Sequence, residues 1–254
     1  MTTIMPEATP AHPTQPRVHV LGVPVDQLTM DQTLERVEAM IESGESHLVV
    51  TADSSGIVMA QTDEELMSLY RKADLSTPDS NGVVWAMKRK GCPQRERVTG
   101  VELADRICAL SPAKGWSIFL LGSEPGVAEQ AARNLEIKYP GIKIAGHRHG
   151  YFKAEEDMDV AAEVAPFSPD VLLVAMGIPR QEKFIVRTMP TIRARVAIGV
   201  GGTLDVFAGK VKRAPVIFQK MKMEWLWRLL LNPTKFSKVK LLPKFVMMNL
   251  KSGK

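Results

Sequence analysis

Cysteine is nearly missing from this chain, which has two in 254 residues, Cys92 and Cys108. Two thiols without a short metal-type spacing exclude a disulfide framework and a cysteine-ligated cluster, and they suit a reducing compartment. Long apolar runs are missing too. No uninterrupted stretch nears the roughly 18–20 residues that a membrane-spanning helix requires. The first sixteen residues, MTTIMPEATPAHPTQP, lack the basic start and apolar core of a secretion signal. Their prolines, Pro6, Pro10, Pro13 and Pro16, predict a disordered leader over 1–16. Several catalytic signatures are absent: there is no Gly-x-Ser-x-Gly elbow, no Gly-x-Gly-x-x-Gly and no P-loop lysine. Acid is nearly missing from one end. Residues 209–254 hold ten Lys and two Arg against Glu224 alone, a net +11, so with +5 overall the remainder carries 5 − 11 = −6. A basic tail on an acidic body points to an anionic partner, either nucleic acid or a membrane surface.

What the chain does have is material for a core. It is 45% hydrophobic and 24% charged, enough for one large α/β domain without a covalent staple. Short apolar runs read as strands: VHVLGVPV (18–25), HLVVTA (47–52), WSIFLLG (116–122), VLLVAMG (171–177) and RVAIGVGG (195–202). IKIAGH (142–147) and ADLSTP (73–78) extend the list. Helical spacing appears between them in MDQTLERVEAMIE (30–42), VELADRICAL (101–110) and GVAEQAARNLEIKY (126–139). Alternating strand and helix predicts a Rossmann-like, mostly parallel sheet over 17–208 with flanking helices. Ligands of such sheets bind beyond the carboxyl ends of the strands.

The residues at those ends are therefore the candidates. Thr51 and Asp53 follow one strand and Asp79 another. In ADLSTPDSNGVVWA (73–86), Asp79 either caps the helix that follows or stands to take a proton. GSEPG (122–126) reads as a tight turn with Pro125 in the first helical turn, and Glu124 there would repel a phosphate. In GIPRQEK (177–183), Gln181 offers both a donor and an acceptor to a flat polar group such as uracil, or Gln181 and Glu182 simply open a helix. Asp205 in GGTLD faces the same choice between ligand and cap. Thr99 and Glu102 have capping-box spacing, and Arg97 just upstream could meet a diphosphate or be a solvated surface arginine. His147 and His149 lack a third metal ligand nearby, and Asp157-Met-Asp159 reads as a solvated helix face. No metal site is expected.

The tail, 209–254, mixes Trp225, Leu226, Trp227 and Leu229 with interleaved lysines, and Pro215, Pro233 and Pro243 divide it into short helices. Apolar anchors with Lys-rich faces predict a basic amphipathic helical appendage lying on an anionic leaflet in preference to nucleic acid.

Taken in order, PDSNGVVWA, RVTGVELAD, FLLGSEPGVAEQAA, YPGIKIAGHRHGYF, PDVLLVAMGIPRQEKFI, GVGGTLDVFAGKVKRAP and EWLWRLLLNP resemble the WecG/TagA/CpsF family of bacterial glycosyltransferases, from about Val18 to Phe245. The resemblance implies an inverting, metal-independent transfer that needs no cofactor. The sugar moves from a UDP-sugar to an undecaprenyl-diphosphate-linked saccharide, at the cytoplasmic face of the bacterial inner membrane, with the enzyme held there peripherally. Donors of such enzymes are of the N-acetylmannosamine, N-acetylmannosaminuronic acid or glucuronic acid type, and products feed surface polysaccharide. By the same resemblance Asp79 matches the catalytic base, Thr51, Arg97, Gln181 and Asp205 match pocket positions, and Arg213 and Arg228 match basic positions of an appendage that closes over the site. Two departures stand out: Asp53 where the family usually has Asn, and Lys235 and Lys238 where it favours Arg, which keep charge but lose the bidentate fork. The competing expectation is a non-catalytic nucleotide-binding module anchored by the same tail. Homo-oligomerisation is left open.

Overall fold

The computed structural model describes residues 17–92, 96–211 and 240–252. The expected leader 1–16 and most of the expected appendage lie outside the described residues. The chain opens with β1 (Arg17–Val20) and β2 (Val23–Asp26), an antiparallel hairpin in which Val20 pairs with Val23. This corrects the expectation of one strand over 18–25. Leu21 and Gly22 both take positive φ, 50° and 83°, a two-residue turn whose twist suits a hairpin. The apolar run hid the turn.

Helix α1 (Met30–Ser43) begins at a Thr29/Gln32 capping box and ends at Gly44. Next come β3 (His47–Ala52), α2 (Ser54–Ala60), α3 (Glu64–Lys72), β4 (Leu75–Pro78) and α4 (Asn81–Arg89). Helix α5 (Gly100–Lys114) starts where Thr99 accepts from Glu102 N at 3.2 Å. The second half runs β5 (Ser117–Gly122), α6 (Val127–Lys138), β6 (Lys143–Arg148), α7 (Asp157–Val164), β7 (Val171–Ala175), α8 (Arg180–Ile192), β8 (Val196–Gly199) and α9 (Thr203–Phe207). A final helix, α10 (Leu241–Lys251), belongs to the tail.

Six strands form one parallel sheet in the order β4-β3-β8-β7-β5-β6. The expected α/β architecture is what folds. Strands β3 and β4 make one wing, β5 and β6 the other, and β7 and β8 return to fill the middle. Connections therefore leave in opposite directions, which opens a crevice at the carboxyl edge. The strands are buried on both faces. Leu48, Val50 and Ala52 pack into one core and Val49 into the other, as a period of two requires. The first core lies under α2, α3, α4, α7 and α8, the second under α1, α5 and α6. The hairpin covers the β4 edge: Asp26 accepts from Ser76 N at 2.7 Å, and Arg17 bonds Asp26 and the Ala73 carbonyl.

Candidate active site

The carboxyl edge of the sheet carries most of the expected residues. Ala52 pairs with Pro78 across β3 and β4, so Asp53 and Asp79 stand at matching positions one step beyond. Asp79 N donates to the Ala52 carbonyl at 3.0 Å. The two aspartates differ in task. Asp53 is the N-cap of α2, its Oδ1 accepting from Gly56 N at 2.6 Å. Asp79 is not a cap. Ser80 performs that task for α4, accepting from Val83 N at 3.2 Å, and its hydroxyl also lies 2.8 Å from Ser54 Oγ.

Thr51 is buried, and its hydroxyl donates to the Gly199 carbonyl at 2.8 Å, tying β3 to β8. Its methyl supports Gly100 at the start of α5. Arg97 is half-buried in the segment before α5. The neighbouring Val98 N donates to the Pro78 carbonyl at 3.2 Å, so this segment runs along the end of β4 beside Asp79.

Gln181 is buried, and both its amide oxygen and its amide nitrogen make hydrogen bonds. Oε1 accepts from Gly177 N at 3.1 Å and Gly201 N at 3.0 Å, and Nε2 donates to Glu182 Oε1 at 2.8 Å. It knits together the glycine turns that leave β7 and β8. Asp205 does not cap α9, whose N-cap is Gly202. Instead it accepts from Ser123 Oγ at 2.6 Å, linking the β8 turn to the β5 turn. In GSEPG the helix begins only after Gly126, so Pro125 precedes it instead of entering its first turn. Glu124 pairs with Lys210, which holds its carboxyl below the usual range, and accepts from Tyr151 OH at 3.3 Å. Arg213 and Arg228, with Lys235 and Lys238, lie outside the described residues.

Tyr70 and Glu182 join this edge from below. Tyr70 is 0% exposed, and its hydroxyl has no hydrogen-bond partner among the described residues. Burial, and then the charges of Glu182, Asp53 and Asp79, push its phenol well above the ordinary value, so it stays protonated. A methyl on Gly56 would collide with that hydroxyl and stand 3.2 Å from Asp53 Oδ1. Sequence reasoning missed Tyr70, because its spacing with Leu66 and Leu69 on α3 reads only as core.

The expected solvated face over Asp157 and Asp159 holds for Asp159 alone. Asp157 is buried and clasped by Arg180 and by Arg187, the latter at 3.0 Å. Among the described residues no group of three or more His, Cys, Asp or Glu is arranged to hold a metal ion. Nor is any helix among them long and apolar enough to cross a membrane.

Helix α10 docks on α2 and α4. Phe245 is buried near Gly82 and Ser54, and Asn249 Nδ2 bonds the Phe245 carbonyl at 2.8 Å. Its other side presents Met247 and Leu250, 51% and 54% exposed, beside the exposed Lys244 and Lys251.

Comparison with known proteins gives a concordant picture. The family described as Glycosyl transferase WecG/TagA/CpsF matches residues 18–254. Among curated relatives, the N-acetylglucosaminyldiphosphoundecaprenol N-acetyl-beta-D-mannosaminyltransferases of Staphylococcus aureus strains MRSA252 and NCTC 8325 are each 35% identical over 232 residues, covering 91% of both chains.

Proposed function

The chain belongs to the WecG/TagA/CpsF glycosyl transferase family, and from that premise we propose that it moves a sugar from a UDP-sugar to an undecaprenyl-diphosphate-linked saccharide, with inversion and without a metal ion. The donor class at this level is N-acetylmannosamine, its uronic acid or glucuronic acid. The observation that carries the proposal is the register of β3 and β4. It sets Asp79 at the carboxyl edge, released from capping by Ser80 and flanked by the Arg97 segment.

In this reading the acceptor hydroxyl oxygen attacks the anomeric carbon on the face opposite UDP. The new glycosidic C–O bond forms as the bond to the β-phosphate oxygen breaks. The hydroxyl proton passes to the Asp79 carboxylate, and UDP leaves with the electron pair. A general base within hydrogen-bond reach contributes on the order of 10²–10⁴-fold. Negative charge grows on the leaving diphosphate, and Arg97, with Arg213 and Arg228 of the tail, stabilises it. Thr51, Gln181 and Asp205 border the donor pocket. The hydrogen bonds of the latter two to the turns after β5, β7 and β8 suggest that they shape the nucleotide's bed through the backbone as well as by contact. Asp53 faces the donor sugar.

The acceptor lipid stays in its bilayer, so the protein goes to it. Helix α10 supports peripheral docking on an anionic inner-membrane surface: Phe245 and Asn249 face the domain while Met247, Leu250 and two lysines face outward. Each lysine near such a surface contributes about 1 kcal/mol.

The test is UDP release. Full-length protein is mixed with a panel of UDP-sugars and EDTA, with and without undecaprenyl-diphosphate-linked N-acetylglucosamine or longer saccharides. Acceptor-dependent release that survives EDTA is expected. Binding without release from any donor–acceptor pair would favour a non-catalytic module, and release that needs a divalent ion would overturn the metal-independent mechanism.

A further inference from the structure

The turns after β5, β6, β7 and β8 are held to one another, and a buried ion cluster beyond the strand ends fixes two of them. Residues 149–153, which follow β6, cross the neighbouring strand ends. Gly150 N donates to the Ser123 carbonyl at 2.9 Å. A methyl on Gly150 would stand 2.9 Å from Gly122 Cα and 2.9 Å from Met176 Cγ, so glycine lets this segment lie close against the turns after β5 and β7. Two residues on, Phe152 meets Phe184 of α8 edge-on, with ring centres 5.7 Å apart. The guanidinium groups of Arg148 and Arg180 rest on the Phe152 ring, 4.9 and 5.1 Å from its centre.

The cluster itself is Asp157 with Arg180 and Arg187. Asp157 opens α7 and is 1% exposed. Arg180, the first residue of α8, grips it with a fork: Nη1 donates to Oδ2 at 3.0 Å and Nη2 to Oδ1. Arg187 Nη1 donates to Oδ2 at 3.0 Å and to the Ala154 carbonyl at 3.2 Å. One carboxylate thus locks the far end of the 149–153 segment to the start of α8. The next residue of α8 is Gln181, whose amide oxygen holds the turns after β7 and β8. A buried ion pair is a poor source of net stability, because desolvation offsets much of the attraction. Its better-attested use is to fix one arrangement among several. The fork also fixes orientation, which a single ammonium contact does not.

The sheet order shows what this arrangement serves. Strand β7 lies three positions from β4 and β5 four, on the order of 14 and 19 Å from the Asp79 end. These turns are beyond contact with atoms reacting at Asp79, and their distance suits the nucleotide half of the donor. We propose that Asp157 is a positioning residue for donor binding: it fixes Arg180, and through Arg180 both the 149–153 segment and the Gln181 turn, in the shape that receives UDP. This rests on the UDP-sugar reading above and deepens it. Asp157 and Arg180 touch no substrate, so they govern affinity and leave the chemical step alone.

The experiment measures UDP affinity by calorimetry, well below each melting temperature, for full-length wild type, Asp157→Asn and Arg180→Lys. Asp170→Ala, which removes a support carboxylate at the opposite edge of the sheet, is the control for general loosening. Both clasp variants should lose about tenfold in UDP affinity, as when one or two side chains and their turn must be ordered on binding. With saturating donor, kcat of acceptor-dependent UDP release should stay within about threefold of wild type, the mark of lost binding with the transition state untouched. Asp170→Ala should bind UDP as wild type does. If Asp157→Asn does not fold, Arg180→Lys, which keeps the charge and loses the fork, carries the test. Wild-type affinity in the folded variants would overturn the inference, as would an equal loss in Asp170→Ala or a fall in kcat at unchanged affinity. Tighter UDP binding by Asp157→Asn would overturn it too, since Arg180 would then be a phosphate ligand that Asp157 restrains. If wild type itself bound no UDP, the donor-site reading would fall, and this inference with it.

Discussion

Asp74 and Asp79 bracket the same four-residue strand, β4, and meet opposite fates. Asp74 precedes it. Its Oδ2 accepts from Leu48 N at 2.8 Å, and Oδ1 lies 3.6 Å from His47 Nδ1. Asp170, before β7, does the same work: it accepts from Ser117 N at 2.8 Å and Ser117 Oγ at 2.9 Å. The amino ends of parallel strands leave backbone N–H groups without ladder partners, and carboxylates satisfy them. The carboxyl ends leave carbonyl oxygens, for which a carboxylate is no partner. An aspartate there can cap the next helix, as Asp53 does, bond a neighbouring turn, as Asp205 does, or stand where a ligand reaches the crevice. Asp53 caps, and Asp79 is relieved of capping by Ser80. Strand polarity thus sorts identical side chains into supports and candidates for chemistry.

The sharpest way to break this contrast is to neutralise Asp79. Asp79→Asn keeps size and shape and removes the capacity to take a proton. Acceptor-dependent UDP release should fall about 10²–10⁴-fold while UDP-sugar affinity changes little. Single-turnover transfer beside calorimetric donor binding separates the two. An Asn variant transferring at the wild-type rate would make Asp79 another support, no different in kind from Asp74.

The next effect is on stability, at the crowded floor of the carboxyl edge. Gly56→Ala drives a methyl into the Tyr70 hydroxyl, against Ile178 and Asp53 Oδ1. Overpacking of this sort costs about 1–3 kcal/mol. Tyr70→Phe removes the oxygen and should recover most of that loss. Denaturant melts of the two single variants and the double variant provide the cycle. Purely additive losses would mean that the hydroxyl does not occupy that space, and would weaken the picture of Asp53 and Tyr70 meeting behind α2.

Much of this edge is legible in the sequence. The parallel strands announced themselves because both faces are buried, so their apolar runs are continuous and end in polar residues. What escaped had physical causes. Leu21–Gly22 lay inside an apolar run and looked like strand. Tyr70 sits at core spacing on α3, and nothing local shows that its oxygen faces three carboxylates. Asp157 looked solvated because its partners, Arg180 and Arg187, lie 23 and 30 residues away. Gln181 could be read as a base-reading amide or as a helix start, and no local pattern shows the bonds its amide makes to Gly177, Gly201 and Glu182. Sequence shows which groups reach an edge, whereas hydrogen bonds closed across the fold decide which of them are already used.

At the amino edge, Asp170→Ala should leave Ser117 N and Oγ without their acceptor. A hydrogen bond to a charged group contributes about 1.5–3 kcal/mol. The group is partly open to water and pairs with Arg195, so the lower part of that range is expected. Transfer per folded molecule should stay within about twofold, since the site is a strand length away.

The smallest effect belongs to Asp74→Asn, and it tests the comparison most directly. The amide oxygen can still accept from Leu48 N, so what is lost is the charge on that bond and the interaction with His47. Both lie near the surface, where such terms contribute about 1 kcal/mol or less. Thermal melts should shift slightly, while transfer rate and donor affinity stay at wild-type values. Set beside Asp79→Asn, the same chemical change at the two flanks of one strand would yield a change of orders of magnitude at one end and almost none at the other. A large loss of transfer in Asp74→Asn, without a matching loss of stability, would mean that strand polarity does not divide these carboxylates.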